Sequence, residues 1–235
     1  GIGDFGDGAV AFLDWLAQAG QTVWQILPLG PVGQGNSPYD AQSSFAGNFL
    51  LIDPMDLQRW DLITAETLRS AEVPESTQID FRSVGASKRR LLRQAWQNLE
   101  SSDTASTPRE QLCSWVNDPD QRRWLDSWSL YAALKHHYDG LSWFDWPLEI
   151  RQRQPWALEQ ARSDLAEEIR FQQFVQIVFF SQWNRLRSED RSRGISLLGD
   201  LPFYVAMDSC EFCAQPELFD LDDAGNPSTL AGVTP

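Results

Sequence analysis

Two short apolar runs, Thr22 to Leu27 and Ile195 to Leu201, constrain this chain more than any other feature of it. Thr22-Val23-Trp24-Gln25-Ile26-Leu27 is β-branched or apolar except at Gln25, the pattern of a parallel-sheet strand buried on both faces. Ile195 to Leu201 reads the same way. It follows a long amphipathic pattern and the stop Gly194, which is the rhythm of a βα repeat. More than a hundred residues separate the two runs, and no internal repeat links them. Two strands close neither a sheet nor a barrel, so the pattern predicts an α/β fold whose other strands lie outside residues 1–235. The opening at Gly1 without Met and the close at Pro235 in a loop read as cuts through a larger protein.

The segments between the runs carry helical patterns. Asp7 is placed to cap a helix from Gly8 to Ala19, with Val10, Leu13 and Leu16 on one face and Gly20 as its stop. Further helices are expected over Ala65–Ala71, Ser87–Leu99, Arg109–Val116 and Arg122–Tyr138, with Pro74, Pro108, Pro119 and Gly140 between them. Ser101–Pro108 reads as a polar surface linker. A long helix is expected from Ser163 to about Arg191, burying Phe171, Phe174, Val175, Val178, Phe179 and Leu186. This divides the chain into 1–54, a helical insertion over 55–162, and 163–235.

Composition narrows the function classes. A net charge of −14 argues against nucleic acid, because phosphate binding depends on clustered Lys and Arg. No apolar run reaches the roughly 18 residues of a membrane span. Three cysteines are too few for a disulfide scaffold. Eleven Trp and thirteen Phe are unusual, and flat aromatic faces suit sugar rings as well as cores. Trp124, Trp128, Tyr131 and Lys135 fall on one helix face, and a packed stripe accounts for them better than a sugar platform.

Asp200 stands near the C-terminal end of the second run, the end that carries active-site loops in α/β barrels. Position alone leaves a helix cap or a buried ion pair equally open. The corresponding end of the first run carries Gly33-Gln34-Gly35-Asn36-Ser37-Pro38-Tyr39-Asp40. Its glycines allow close approach, Asn36 and Ser37 offer hydrogen bonds, and Tyr39 offers a flat face, which suits a neutral polyol better than a phosphate. An ordinary structured turn is equally compatible. Cys210 and Cys213 read as two small residues on a short helix rather than a redox pair. His136 and His137 are adjacent on a helix and point apart, so no catalytic triad is evident. Asp222 to Asn226 reads as a tight turn rather than a calcium loop.

Taken together these segments resemble the 4-α-glucanotransferases, called amylomaltases in bacteria and disproportionating enzymes in plants. The resemblance rests on Gly1 to Gly6, Trp24 to Pro31 with Ser37-Pro38-Tyr39, and Ala133 to His137 with Trp143 to Pro147. Gly199 to Ala206 and Pro216 to Phe219 complete it. It implies an incomplete (β/α)₈ TIM barrel, about strands 2 and 3, with a helical insertion. It also implies retaining transfer of an α-1,4-glucan segment to the 4-hydroxyl of a glucan or glucose, without cofactor or metal. An α-amylase-type hydrolase and a non-catalytic glucan-binding relative are the alternatives. Tyr39 would stack on the sugar at the cleavage site, Asp200 would hydrogen-bond it, and Asn36 and Ser37 would line the donor side. Gln34 departs from the family where some members carry an aromatic. The nucleophile and acid/base are expected beyond Pro235, leaving this segment alone inactive. The implied partners are maltooligosaccharides or α-glucans. The implied compartment is bacterial cytoplasm, or the plastid in a plant or alga.

Overall fold

The computed structural model describes residues 2–33, 35–74, 76–101, 110 and 113–221. In it the two predicted strands are direct neighbours. β1 (Val23–Gln25) and β2 (Ser196–Leu198) pair in parallel, Val23 opposite Ser196 and Gln25 opposite Leu198. Bonds from Ser196 N–H to Thr22 O and from Ile26 N–H to Leu198 O extend the ladder at either end.

The other described residues are helical or irregular, apart from an isolated antiparallel bridge between Val32 and Ala41. In chain order the helices are α1 (Asp7–Gln18), α2 (Met55–Arg59), α3 (Ala65–Ser70), α4 (Phe81–Ser101) and α5 (Pro119–His137). α6 (Leu148–Arg151), α7 (Pro155–Asp164), α8 (Ala166–Ser192) and α9 (Cys210–Ala214) follow. α8 leads into β2 through Gly194, whose φ of +68° is cheap only for glycine. Phe171, Phe174, Val175, Val178, Phe179 and Leu186 are all buried along it, as the periodicity predicts. Each aromatic or aliphatic side chain removed from water this way contributes about 1.5–3 kcal/mol. They join Leu13 and Leu16 of α1 and Leu91, Leu92 and Trp96 of α4 in one core. A second core is built by α5, α7 and α9 around Leu125, Tyr131, Leu134 and Trp146.

Several expectations need correction. The strands are not buried on both faces: Val23 is 51% and Leu198 53% exposed. Only their other face, carrying Trp24 and Leu197, is partly covered, because the described elements pack on one side of the pair. Both strands are also shorter than the apolar runs. Asp7 lies inside α1, Gly6 is its N-cap, and the Asp7 carboxylate instead reaches Arg59. α4 starts at Phe81, six residues before the expected Ser87. Pro119 does not separate helices; it opens α5, where its missing N–H costs nothing, with Asp118 capping from outside. The single helix expected from Ser163 is interrupted at Leu165, between α7 and α8. Gly1, Gln34, most of the Ser101–Pro108 linker and the Asp222–Asn226 turn lie outside the described residues. Of the helix expected over Arg109–Val116, Glu110 and residues 113–116 are described, and these are helical.

Candidate functional site

Because β1 and β2 run side by side in one direction, their C-terminal ends deliver two loops to the same edge. One is Gly30 to Asn48; the other is Gly199 to Met207. Tyr39 Oη donates a 2.7 Å hydrogen bond to Asp200 Oδ2 across 161 positions of sequence. Asp200 Oδ1 accepts from the Leu201 N–H at 2.8 Å, which fixes the carboxylate plane. The Asp200 bond, with smaller effects from partial desolvation and the nearby negative charge, raises the Tyr39 phenol above its ordinary value, so it stays a neutral donor at physiological pH. Tyr39 is 50% exposed. Asp200 is exposed rather than buried, so the desolvation cost that its apolar flank suggested does not arise.

The four candidate residues separate. Ser37 Oγ accepts from the Tyr39 N–H at 3.3 Å and supports the tyrosine. Asn36, at φ +52°, turns to the other flank of the loop, where it lines a cavity of about 590 Å³. Phe49, Phe81, Trp128 and Tyr131 supply aromatic wall there, with Arg89 and His136 among the polar groups. Asp200 lines a different cavity of about 190 Å³ with Phe45, Phe179, Trp183 and Tyr204. Tyr39, Ser37 and Asp200 therefore form one group and Asn36 a second. The aromatic stripe is packed as expected, with Trp128 at 6% and Tyr131 at 3% exposure. His136 and His137 do point apart, into different cavities.

The positioning machinery behind these residues was not singled out in the sequence. Gln176 of α8 accepts from the Gly47 N–H at 2.7 Å and donates to Gly47 O at 3.1 Å. Gln182 does the same to Asp53, at 2.8 and 2.9 Å. Lys88 is buried and donates to Leu50 O and Ile52 O at 2.6 and 2.7 Å, its ammonium pushed down by desolvation against the pull of Asp4. Ser43 Oγ and Ser44 N–H both donate to Glu211 Oε1, tying the first loop to α9. Asp208 accepts from Lys135 Nζ at 2.7 Å and from the Trp143 N–H at 3.1 Å. Tyr131 Oη donates to its backbone oxygen at 2.8 Å. A lysine at the end of an aromatic stripe was the one readable signal, since such a cation needs a carboxylate. The amide clamps left no signal, because a glutamine on a helix is ordinarily solvated.

Cys210 and Cys213 are free, buried thiols on α9, and burial pushes Cys213 up to about 11 and Cys210 higher than usual. That opposes thiolate chemistry and fits the reading of two small packed residues. Among the described residues no cluster of His, Cys, Asp or Glu is arranged to hold a metal ion. No helix among them is long and apolar enough to cross a membrane.

A parallel strand pair flanked by helices is an α/β arrangement. An amylomaltase from Streptococcus agalactiae, solved in complex with acarbose, shares it. That structure is 31% identical, with a TM-score of 0.89 over 98% of this chain and 46% of its own. The family profile described as 4-alpha-glucanotransferase matches residues 1–235. The 4-alpha-glucanotransferase of Thermus thermophilus is 39% identical over 100% of this chain and 46% of its own length. A chloroplastic/amyloplastic 4-alpha-glucanotransferase of Oryza sativa is 37% identical over 100% of this chain and 40% of its own. The chain belongs to the 4-alpha-glucanotransferase family, and it spans about half the length of the curated relatives it matches.

Proposed function

We propose that the protein containing this chain transfers segments of an α-1,4-glucan to the 4-hydroxyl of a glucan or glucose acceptor. In this reading β1 and β2 are about the second and third strands of a (β/α)₈ barrel. Residues 55–162 form a helical insertion between barrel parts 1–54 and 163–235. The observation that carries it is the Tyr39–Asp200 hydrogen bond, which sets a half-exposed aromatic face beside an exposed carboxylate at the loop edge of a parallel sheet. A glucose ring has apolar C–H faces and a rim of hydroxyls, so it stacks on the first and hydrogen-bonds the second. Ser37 holds Tyr39 in place, and Asn36 meets more distant sugar on the far flank of the loop.

Retaining transfer needs two carboxyl groups about 5–5.5 Å apart, one nucleophile and one acid then base. Asp200 is the only carboxylate lining its cavity among the described residues, so its role is to bind and orient. The covalent step is assigned to carboxylates outside residues 1–235. No cofactor or metal is invoked. The compartment is the cytoplasm in a bacterium or the plastid in a plant or alga; the rice relative is chloroplastic/amyloplastic.

The test is substitution in the protein as its gene encodes it. Tyr39→Ala and Asp200→Asn are each expected to lower maltodextrin transfer about a hundredfold, the scale of a misplaced substrate. Activity within threefold of the parent in both variants would overturn this assignment.

A further inference from the structure

The segment after the Asp200 loop turns back onto the loop that carries Tyr39. Ala206 N–H donates to Ala41 O at 3.3 Å, and Cys210 N–H donates to Gln42 O at 2.8 Å. The next contact in this series is made by a side chain. Glu211, in the first turn of α9, accepts at Oε1 from Ser43 Oγ at 2.7 Å and from the Ser44 N–H at 3.1 Å. Ser43 is buried, and its oxygen in turn accepts from the Phe45 and Ala46 N–H groups at 3.1 and 3.2 Å. One carboxylate oxygen therefore sets the direction of the Ser43 hydroxyl and, through it, the backbone of the turn at 43–46.

That turn is cavity wall. Ser43, Ser44, Phe45 and Ala46 line the cavity of about 190 Å³ that Asp200 and Tyr204 line from the second loop. The Phe45 ring also stacks on Trp124 of α5, with centroids 6.5 Å apart and planes 16° apart. A change at Glu211 thus reaches the Asp200 cavity through Ser43, without touching the Tyr39–Asp200 bond itself.

As a source of stability the arrangement is poor. Glu211 Oε2 is buried and has no hydrogen-bond partner among the described residues. A desolvated charged oxygen without a donor costs free energy, and an amide would meet the same two donors without that cost. What the side chain supplies is placement: one acceptor at a fixed point, met by two donors of the same turn.

We infer that Glu211 is a positioning residue for the glucan reaction: it holds the turn at 43–46, and so the wall of the Asp200 cavity, in the shape that receives a sugar ring. The inference rests on the function proposed above. A displaced wall weakens sugar binding in the ground and transition states alike, which raises KM and spares kcat. Loss of folded protein does the reverse, lowering apparent kcat at unchanged KM.

The test is steady-state kinetics of the gene-encoded protein on maltotriose. Glu211→Ala is expected to raise KM about tenfold, with kcat within about threefold of the parent. Glu211→Gln keeps an acceptor at the same reach and is expected to bring KM back to within about threefold of the parent. A Glu211→Gln protein as impaired as Glu211→Ala overturns the proposal. If Glu211→Ala fails to fold, Ser43→Ala decides, because it removes the same bond; an unchanged KM there overturns the proposal. A parent that transfers, with KM unmoved in Glu211→Ala, rejects the positioning role alone. A parent that hydrolyses maltotriose without transfer rejects the transfer reading, and the same KM comparison on hydrolysis then decides for or against Glu211. A parent that does neither overturns both.

Discussion

The loop after β1 and the loop after β2 meet at the Tyr39–Asp200 hydrogen bond, yet they are held in opposite ways. The first is clamped along its length. Gln176 holds both backbone groups of Gly47, Asn48 N–H donates to Leu29 O, and Glu211 holds Ser43 and Ser44. The second carries Leu201, Phe203 and Tyr204 at 75%, 96% and 68% exposure. Its ties to the first loop are the Asp200 carboxylate and a 3.3 Å bond from Ala206 N–H to Ala41 O. The aromatic half of the site is therefore preorganised by residues 1–235, while the carboxylate half is lightly held. A buried backbone requires partners and an exposed one is served by water, so the two loops need different amounts of scaffold.

The contrast should break first at the clamp. Gln176→Leu would leave the buried Gly47 N–H and C=O without partners, each worth about 1–3 kcal/mol. The expected loss is about 3 kcal/mol in urea unfolding, and a loss below about 1 kcal/mol would remove the clamp from the account. Gly47→Ala tests the same point from the other side. A Cβ there would sit 2.1 Å from the Phe179 ring, far inside contact distance. An overpacking cost of about 2 kcal/mol is expected, read as a lower unfolding midpoint.

A smaller effect lies at the end of the clamped loop. Burial, aided by the nearby Asp4 and Asp56 charges, raises the Asp53 carboxyl above its ordinary 3.8, although its bond from the Met55 N–H pulls the other way. The folded state then holds that proton more tightly than the unfolded chain. Its stabilising contribution is present below the unfolded value and is lost as pH rises through the folded one. Asp53→Asn removes the titration, so its stability relative to the parent should rise with pH from about 4 towards neutrality. A flat or falling difference in unfolding free energy across that range would contradict the assignment.

The lightly held side should show the smallest change in stability. Asp200→Asn is expected to leave the urea midpoint unchanged, because the group is exposed. It should still bring the Tyr39 titration down towards 10.0, since the Asp200 hydrogen bond is the main cause of its rise. Ultraviolet difference spectra of the phenolate, with Tyr39→Phe to identify the signal, measure this directly. An unmoved titration would mean that the two loops do not meet as described.

Legibility in the sequence followed how local each cause is. The helix faces of α1 and α8 could be read because burial there has a 3.6-residue period. That both runs are strands of a parallel sheet could be read from their apolar pattern and the Gly194 stop, whereas their pairing with each other is a finding of the structure. The strands' exposed outer face could not be read, because composition reports what a residue favours, not which neighbours cover it. Tyr39 and Asp200 were identifiable as candidates from strand-end position and resemblance, but their hydrogen bond joins positions 161 apart and has no local signature. Asn36, adjacent to Ser37 and three residues before Tyr39, lines a different cavity and has a left-handed backbone, which the residue type permits but does not announce. Gln176 and Gln182 were invisible for the same reason, since their partners are backbone groups brought together only by the fold.

The most direct test of the central claim is to incubate the gene-encoded protein with maltotriose and follow both products and reducing ends. Transfer makes one glycosidic bond for each one it breaks. The account predicts glucose together with maltopentaose and longer chains, at a constant number of reducing ends. Shortened products alone, with reducing ends rising as bonds are lost to water, would contradict it.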